Sequence, residues 1–395
     1  MGGELFVMDD GWFGDKYRRV TDNSSLGDWV VDRQKLPHGI GWLVETAEKH
    51  GIRFGIWIEP EMTNTKSELY EKHPDWVVKA QNRDLVTGRG GTQLLLDLSN
   101  PAVQDFVFGV VDNIMTENPD IAYIKWDANM DISAHGSQYL KNQNHLYIEY
   151  HRGLAKVLDR VRAKYPDLTI QACASGGGRA NYGIMPWFDE FWVSDDTDAL
   201  QRLYLQWGTS YFYPSIAMAS HISAAPNHQT GRNVPMKFRI DVAMSGRLGM
   251  EIQPMNMTEA EKELCRQAIS DYKKIRPIVQ FGDLYRLDSP YDDNGIASLM
   301  YCSDDKQKAV FYWWKPLGFC DEHLPVVKME GLEPESMYKV TELHPIDRFP
   351  LSCEGKVFSG KYLMENGLVL PNSHSAKNPE FGSSWASRVL YLEAQ

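Results

Sequence analysis

Short apolar or aromatic runs ending in an acid, an amide or a tryptophan alternate with amphipathic stretches over roughly the first 275 residues. Seven such runs read as strands, at 5–10, 53–59, 122–129, 169–175, 191–196, 212–221 and, less regularly, 241–251. Between them a 3.6-residue period predicts helices over 42–50, 101–118, 145–164, 199–208 and 258–274, with Pro101 as first helical residue behind Asn100. Strand and helix in regular succession mean parallel pairing, in an open doubly wound sheet or in a (β/α)8 TIM barrel. After about Gly282 helical periodicity disappears. Runs at 296–301, 308–314, 338–343, 368–370 and 388–392 predict a C-terminal antiparallel β-sandwich. The expected domains are therefore 1–282, a catalytic (β/α) barrel, and 283–395, the β-sandwich.

The polar residues choose between the two parallel architectures. Nearly every strand ends in chemistry: Asp9 and Asp10, Trp57 and Glu59, Lys125 with Asp127 and Asn129, Cys173, Asp195 and Asp196, and His221. Chemistry at many C-terminal strand ends describes a barrel mouth, whereas an open sheet concentrates it at one switch point. Gly176-Gly177-Gly178 lacks GxGxxG spacing, so dinucleotide binding is not expected. Seven strands do not close an eight-stranded barrel. The expectation is a fragment without its first strand-helix unit, or an eighth strand placed elsewhere.

Composition narrows the partners. The 395-residue chain has 53 acidic against 41 basic residues, and a net charge of −12 repels phosphate backbones and anionic lipid, so neither nucleic acid nor membrane is an expected partner. Five widely spaced cysteines fit neither a disulfide framework nor a zinc site and favour a reducing, cytoplasmic compartment. A periplasmic or secreted location would require a leader upstream. His221 and His228, seven apart with no third ligand at motif spacing, do not make a zinc site, and no cofactor or metal is expected.

Three clusters invite chemistry. In Asp9-Asp10-Gly11-Trp12 both carboxylates reach one ligand only if the chain turns at Gly11, and carboxylates beside an indole suit a sugar. Lys125, Asp127 and Asn129 share a face by period two, with Trp126 opposite. That face is either a Lys–Asp pair in the core or a nucleophile kept ionised by Lys125. The acid-rich stretch 194–198 is either a magnesium site or the source of a second carboxyl. Two carboxyls flanking a glycosidic bond are the minimum apparatus for glycoside hydrolysis.

Seven stretches taken together resemble the melibiase-type α-galactosidases of glycoside hydrolase family thirty-six, in clan D. They are LFVMDDGWF at 5–13, SLGDW at 25–29, GIWIEPEM at 55–62, HPDW at 73–76, KWD at 125–127, SGGGR at 175–179 and WVSDDTD at 192–198. The resemblance implies an exo-glycosidase that removes terminal α-D-galactosyl residues, as from melibiose and raffinose, by a retaining double displacement. Asp127 would be the nucleophile and Asp195 the acid/base. Asp9, Asp10, Trp57, Arg89, Lys125, Asn129, Cys173 and Gly176 would line the galactose subsite. It also implies an α-galactoside as small-molecule partner, a homo-oligomeric full-length protein, and an N-terminal β-sandwich that this chain lacks. The chain departs from the pattern at Gly90, Gly91 and Thr92, which separate Arg89 from Gln93, and at Ala128 and Met130. The same fold could serve α-N-acetylgalactosaminide hydrolysis, α-galactosyl transfer, or galactose binding without chemistry. Cys173, where an N-acetyl group would need room, argues for galactose.

Overall fold

The apolar runs become short strands wherever branched and aromatic side chains can be buried on both faces of a sheet. The computed structural model describes residues 1–133, 135–293, 295–317, 326–346, 351–370 and 384–395. They fall into two units, Gly3–Trp192 and Val193–Gln395, the latter with Met1 and Gly2.

The first unit runs β1 (Leu5–Met8), α1 (Gly39–Lys49), β2 (Arg53–Ile58), β3 (Met62–Asn64), α2 (Glu68–Lys72), β4 (Gln93–Leu95), α3 (Pro101–Glu117), β5 (Ile121–Trp126), α4 (Leu146–Lys164), β6 (Thr169–Ala172) and β7 (Glu190–Trp192). Its parallel sheet has the order β1-β2-β5-β6-β7, and β3 pairs antiparallel with β4. In β2 every residue after Arg53 is buried, as a strand covered on both faces requires. Helix α3 starts where Asn100 accepts a hydrogen bond from the Ala102 N–H and Pro101 fills a position that needs no donor. It buries Val103, Val107, Val110, Val111 and Ile114, a stripe at helical spacing in which each side chain contributes roughly 1.5–3 kcal/mol. The run expected to extend to residue 129 stops at Trp126, because Asp127 turns its own Oδ1 onto the Ala128 N–H at 2.9 Å. That local bond competes with the ladder.

The second unit begins with α5 (Ala199–Thr209), β8 (Met218–Ser223), α6 (Met236–Ala243), β9 (Arg247–Glu251) and α7 (Glu259–Phe281), with β8 and β9 parallel. The seventh expected strand is thus corrected at its start: residues 241–243 belong to α6. All eight residues of α6 are buried, and a helix covered on every side leaves no amphipathic stripe to read. Helix α7 carries a full capping box at Thr258 and Glu261, passes through Pro277 and ends at Phe281, seven residues beyond the expected end at Lys274.

Then follow β10 (Asp283–Asp288), β11 (Ala297–Cys302), β12 (Lys308–Lys315), β13 (Met337–Glu342), β14 (Val357–Ser359), α8 (Gly360–Glu365) and β15 (Ala386–Ala394). They form one antiparallel six-stranded sheet, β10-β11-β12-β15-β13-β14, among the described residues. Alternation along β12 explains its burial on both sides. Val310, Tyr312 and Trp314 join a core with α6 and α7, while Phe311 and Trp313 join a second core with Leu332, Leu363 and Leu390. Leu368 makes a single bridge with Val327 rather than a strand, and β10, β14 and α8 were not expected. Cys320 lies outside the described residues. The fold class is the expected one, parallel βα units of the TIM-barrel kind followed by an antiparallel sheet domain.

Candidate active site

Asp127 leaves β5 with its backbone still tied to the sheet, its N–H donating to the Ile58 carbonyl at 2.8 Å. The residue is 6% exposed. Oδ2 accepts from Trp57 Nε1 at 3.1 Å and from Asn129 Nδ2 at 2.8 Å. The Trp57 ring is set by a nest of aromatics: it lies parallel to Phe13 with centroids 6.2 Å apart, and Trp12 Nε1 donates to the Trp57 carbonyl at 2.9 Å. Asn129 is fixed in turn, since its Oδ1 accepts from both the N–H and the Oγ of Ser175, each at 3.0 Å.

The Cys173 thiol adjoins the same carboxylate. Burial first, then the charge of Asp127, push it far up, so it stays a neutral S–H. Gly176, at φ +87°, closes the tight loop behind it, its carbonyl accepting from the Ala174 N–H at 2.8 Å.

The hydrogen bond of Lys125 goes to the end of β1, while the charge of Asp127 still acts on it. Its Nζ donates to Asp9 Oδ2 at 2.8 Å, whereas Asp127 is held by the uncharged donors of Trp57, Asn129 and Ala128. Burial lowers the Lys125 pKa, but the charge and hydrogen bond of Asp9, with the charge of Asp127, outweigh it and raise it above the usual lysine value, so the ammonium persists. Gly11, at φ +106°, does turn the chain after the paired acids. The two then take different cations. Asp10 receives Arg19 through Nη2 at 2.7 Å and Nε at 3.0 Å, while Asp9, 59% exposed, keeps Lys125. Arg89 is exposed in a turn with Gly90 and Gly91 at φ +65° and +67°.

Two buried acids of the 55–62 stretch, Glu59 and Glu61, have partners that the sequence does not reveal. Glu61 accepts from Trp126 Nε1 at 2.8 Å, Tyr150 Oη at 2.7 Å and Arg179 Nη2 at 2.7 Å, pinning the 175–179 loop to the end of β5. Glu59 accepts from the Asn129 N–H and from Gln93 Nε2 at 3.0 Å. Paired acids in an otherwise apolar strand end were the signal that could have found them.

Asp195 belongs to the second unit and is half-buried. The chain around it is tied to α5. Arg202 Nη1 donates to the Ser194 carbonyl at 2.9 Å, and Asp198 caps the helix by accepting from Leu200 N–H at 2.9 Å and Gln201 N–H at 3.1 Å. Burial lowers Arg202 to about 10 against the opposing charges of Glu251, Asp196 and Asp195, so it remains a cation facing the acids. Asp198→Ala is expected to cost about 1–2 kcal/mol through the lost cap. Urea unfolding checks this, with a lower midpoint at unchanged slope expected. His221 stands on β8 with its ring so close to Gly249 that a Cβ there would lie 2.3 Å from the ring.

Carboxylates beside indoles at strand ends of a TIM-type fold define a carbohydrate-active protein. Residues 1–282 match the Melibiase family, and residues 296–392 match the glycosyl hydrolase family 36 C-terminal domain. The chain belongs to the melibiase family of glycoside hydrolase family 36. It is 39% identical over 373 residues to alpha-galactosidase AgaA of Geobacillus stearothermophilus, covering 94% of this chain and 49% of that protein. It is 38% identical to alpha-galactosidase C of Emericella nidulans over 100% of this chain and 50% of that one. Among solved structures, AgaA in complex with raffinose superposes with a TM-score of 0.90 at 36% identity, over 99% of this chain and 51% of that one. The alpha-galactosidase from Lactobacillus brevis gives 0.91 at 34% identity, again over 99% and 51%. The chain spans about half the length of these relatives.

Proposed function

We propose that this chain carries the catalytic residues of a retaining exo-α-galactosidase that releases terminal α-D-galactose from oligosaccharides such as melibiose and raffinose. Residues 1–282 carry the reaction and 283–395 form the C-terminal domain. The observation that supports this most is the Asp127 carboxylate, sheltered from water yet held by an indole and an amide N–H, which fixes a nucleophile without neutralising it. Relatives named as alpha-galactosidases, with AgaA variants crystallised with raffinose and with stachyose, support the substrate class.

In this reading an Asp127 oxygen attacks the anomeric carbon while Asp195 gives its proton to the departing glycosidic oxygen. The sugar is then an ester of Asp127. Asp195, now ionised, takes a proton from water, whose oxygen attacks the same carbon and releases Asp127. Asp9 and Asp10 accept from sugar hydroxyls, Lys125 and Asn129 donate to them, Trp57 and Arg89 border the ring, and Cys173 with Gly176 faces the second carbon's hydroxyl.

The test is hydrolysis of 4-nitrophenyl α-D-galactoside followed by proton NMR. α-Galactose should appear first, before mutarotation. β-Galactose first would remove the double displacement, and release from the N-acetylgalactosaminide instead would change the substrate. Asp195→Ala should lower raffinose turnover by roughly 10²–10⁴-fold. The nitrophenyl substrate, whose leaving group needs little protonation, should lose far less in the galactosyl-transfer step. Equal losses on the two would remove Asp195 from the acid role.

A further inference from the structure

Glu59 directly follows β2 at 1% exposure, and the proposed reaction gives it nothing to do. Its Oε1 takes two donors, the backbone N–H of Asn129 and Gln93 Nε2. Asn129 is the residue whose side chain donates to Asp127 Oδ2. A buried carboxyl thus seats the backbone of the residue that holds the nucleophile's oxygen, from a strand 70 positions earlier in sequence.

We propose that Glu59 is a positioning residue, whose carboxyl fixes Asn129 and, through the Asn129 amide, the orientation of the Asp127 carboxylate. The proposal rests on the galactosidase reading for the word nucleophile, but its geometry stands without it.

Chemistry also says which form of Glu59 does this. The charged groups that act on it are Asp127 after β5, Arg89 in the 89–91 turn and Arg19 after β1. Burial, then the negative charge of Asp127, outweigh the Asn129 N–H and both arginines and push the carboxyl up to about 8. Glu59 is therefore a neutral acid near pH 7, and only a neutral one can sit in this network without adding a second anion beside Asp127. The proton has a place to go. Gln93 Oε1 is buried with no hydrogen-bond partner among the described residues. An amide turned over presents that oxygen where Nε2 now stands, as acceptor for the Glu59 proton.

An acid at about 8 when folded and about 4.3 when unfolded keeps a proton that unfolding releases. It stabilises the fold at low pH, and that stabilisation is lost as pH rises from about 4.3 to about 8. Glu59→Gln, the neutral isostere, lacks this loss. Between about pH 5 and 8 the unfolding constant of the wild type should therefore rise relative to Glu59→Gln by roughly tenfold per pH unit. In the wild type labelled with carbon-13 at glutamate side chains, one carboxyl resonance should titrate near 8, which serves if the variant fails to fold. Parallel stability profiles, or no such resonance, would overturn the neutral form assigned to Glu59.

Kinetics test the positioning. Glu59→Ala should lower kcat on nitrophenyl galactoside by roughly 10–100-fold with KM changed little, and Glu59→Gln should restore most of it. Equal losses in the two variants, or none in either, would overturn the role. Wild-type protein without turnover would remove the galactosidase reading, while the pH-linked stability and the resonance would still decide the placement of Glu59.

Discussion

Asp127→Gly is expected to lower turnover of an aryl α-galactoside by roughly 10⁴-fold or more, about 5.5 kcal/mol of barrier, with no change in fold. Glycine removes the attacking oxygen and opens a space about the size of the carboxylate. Added azide should enter that space, attack the anomeric carbon from the vacated face and restore turnover with β-galactosyl azide as product. The anomeric outcome is the sharper readout, because a single displacement inverts where two in succession retain. Unchanged turnover in the variant, or a rescued product that kept the α configuration, would remove Asp127 from the role.

The largest loss of stability is expected from Asp241→Ala. Asp241 is buried in α6, where Oδ2 accepts from Lys237 and Oδ1 from His344 Nε2 at 2.7 Å. His344 also donates its backbone N–H to Asp271 of α7 at 3.1 Å. Lys237 is only 3% exposed, so removing its anion leaves a cation in the core, a defect that costs about 3–5 kcal/mol. Burial alone would raise the Asp241 carboxyl, but the Lys237 charge, then the His344 hydrogen bond and charge, bring it to about 2. Its stabilisation is complete above about pH 4 and is lost as pH falls toward 2. Urea unfolding of the two proteins should thus differ most at neutral pH and converge between about pH 4 and 2. A constant difference across that range would show that the pair contributes no pH-linked stability.

Most strands were legible because each is an apolar run bounded by a polar end, a signal that survives without knowledge of partners. The beginning of the seventh was misread for the opposite reason. Helix α6 mixes Lys237, Arg239 and Asp241 with apolar neighbours and buries them all, so neither period stands out. Helix α7 outran its expected end because Pro277 is tolerated within it. In the site, the residue types at strand ends were readable, and the bonds among them were not. Lys125 was paired in sequence with its near neighbour Asp127, yet its hydrogen bond goes to Asp9, 116 positions away, which parallel strands bring to the same sheet end. Glu59 stands out at its strand end in the sequence but its role does not, for the same reason: Gln93 and Asn129 give it a purpose only after folding.

In the proposed mechanism the neutral donors on Asp127 would matter most after the first displacement. Once a sugar is esterified there, the aspartyl group must depart as an anion when water arrives. The indole and amide dipoles already aimed at Oδ2 would receive that returning charge without any rearrangement, so the same two N–H groups that would aim the attack would also make the covalent bond easier to break.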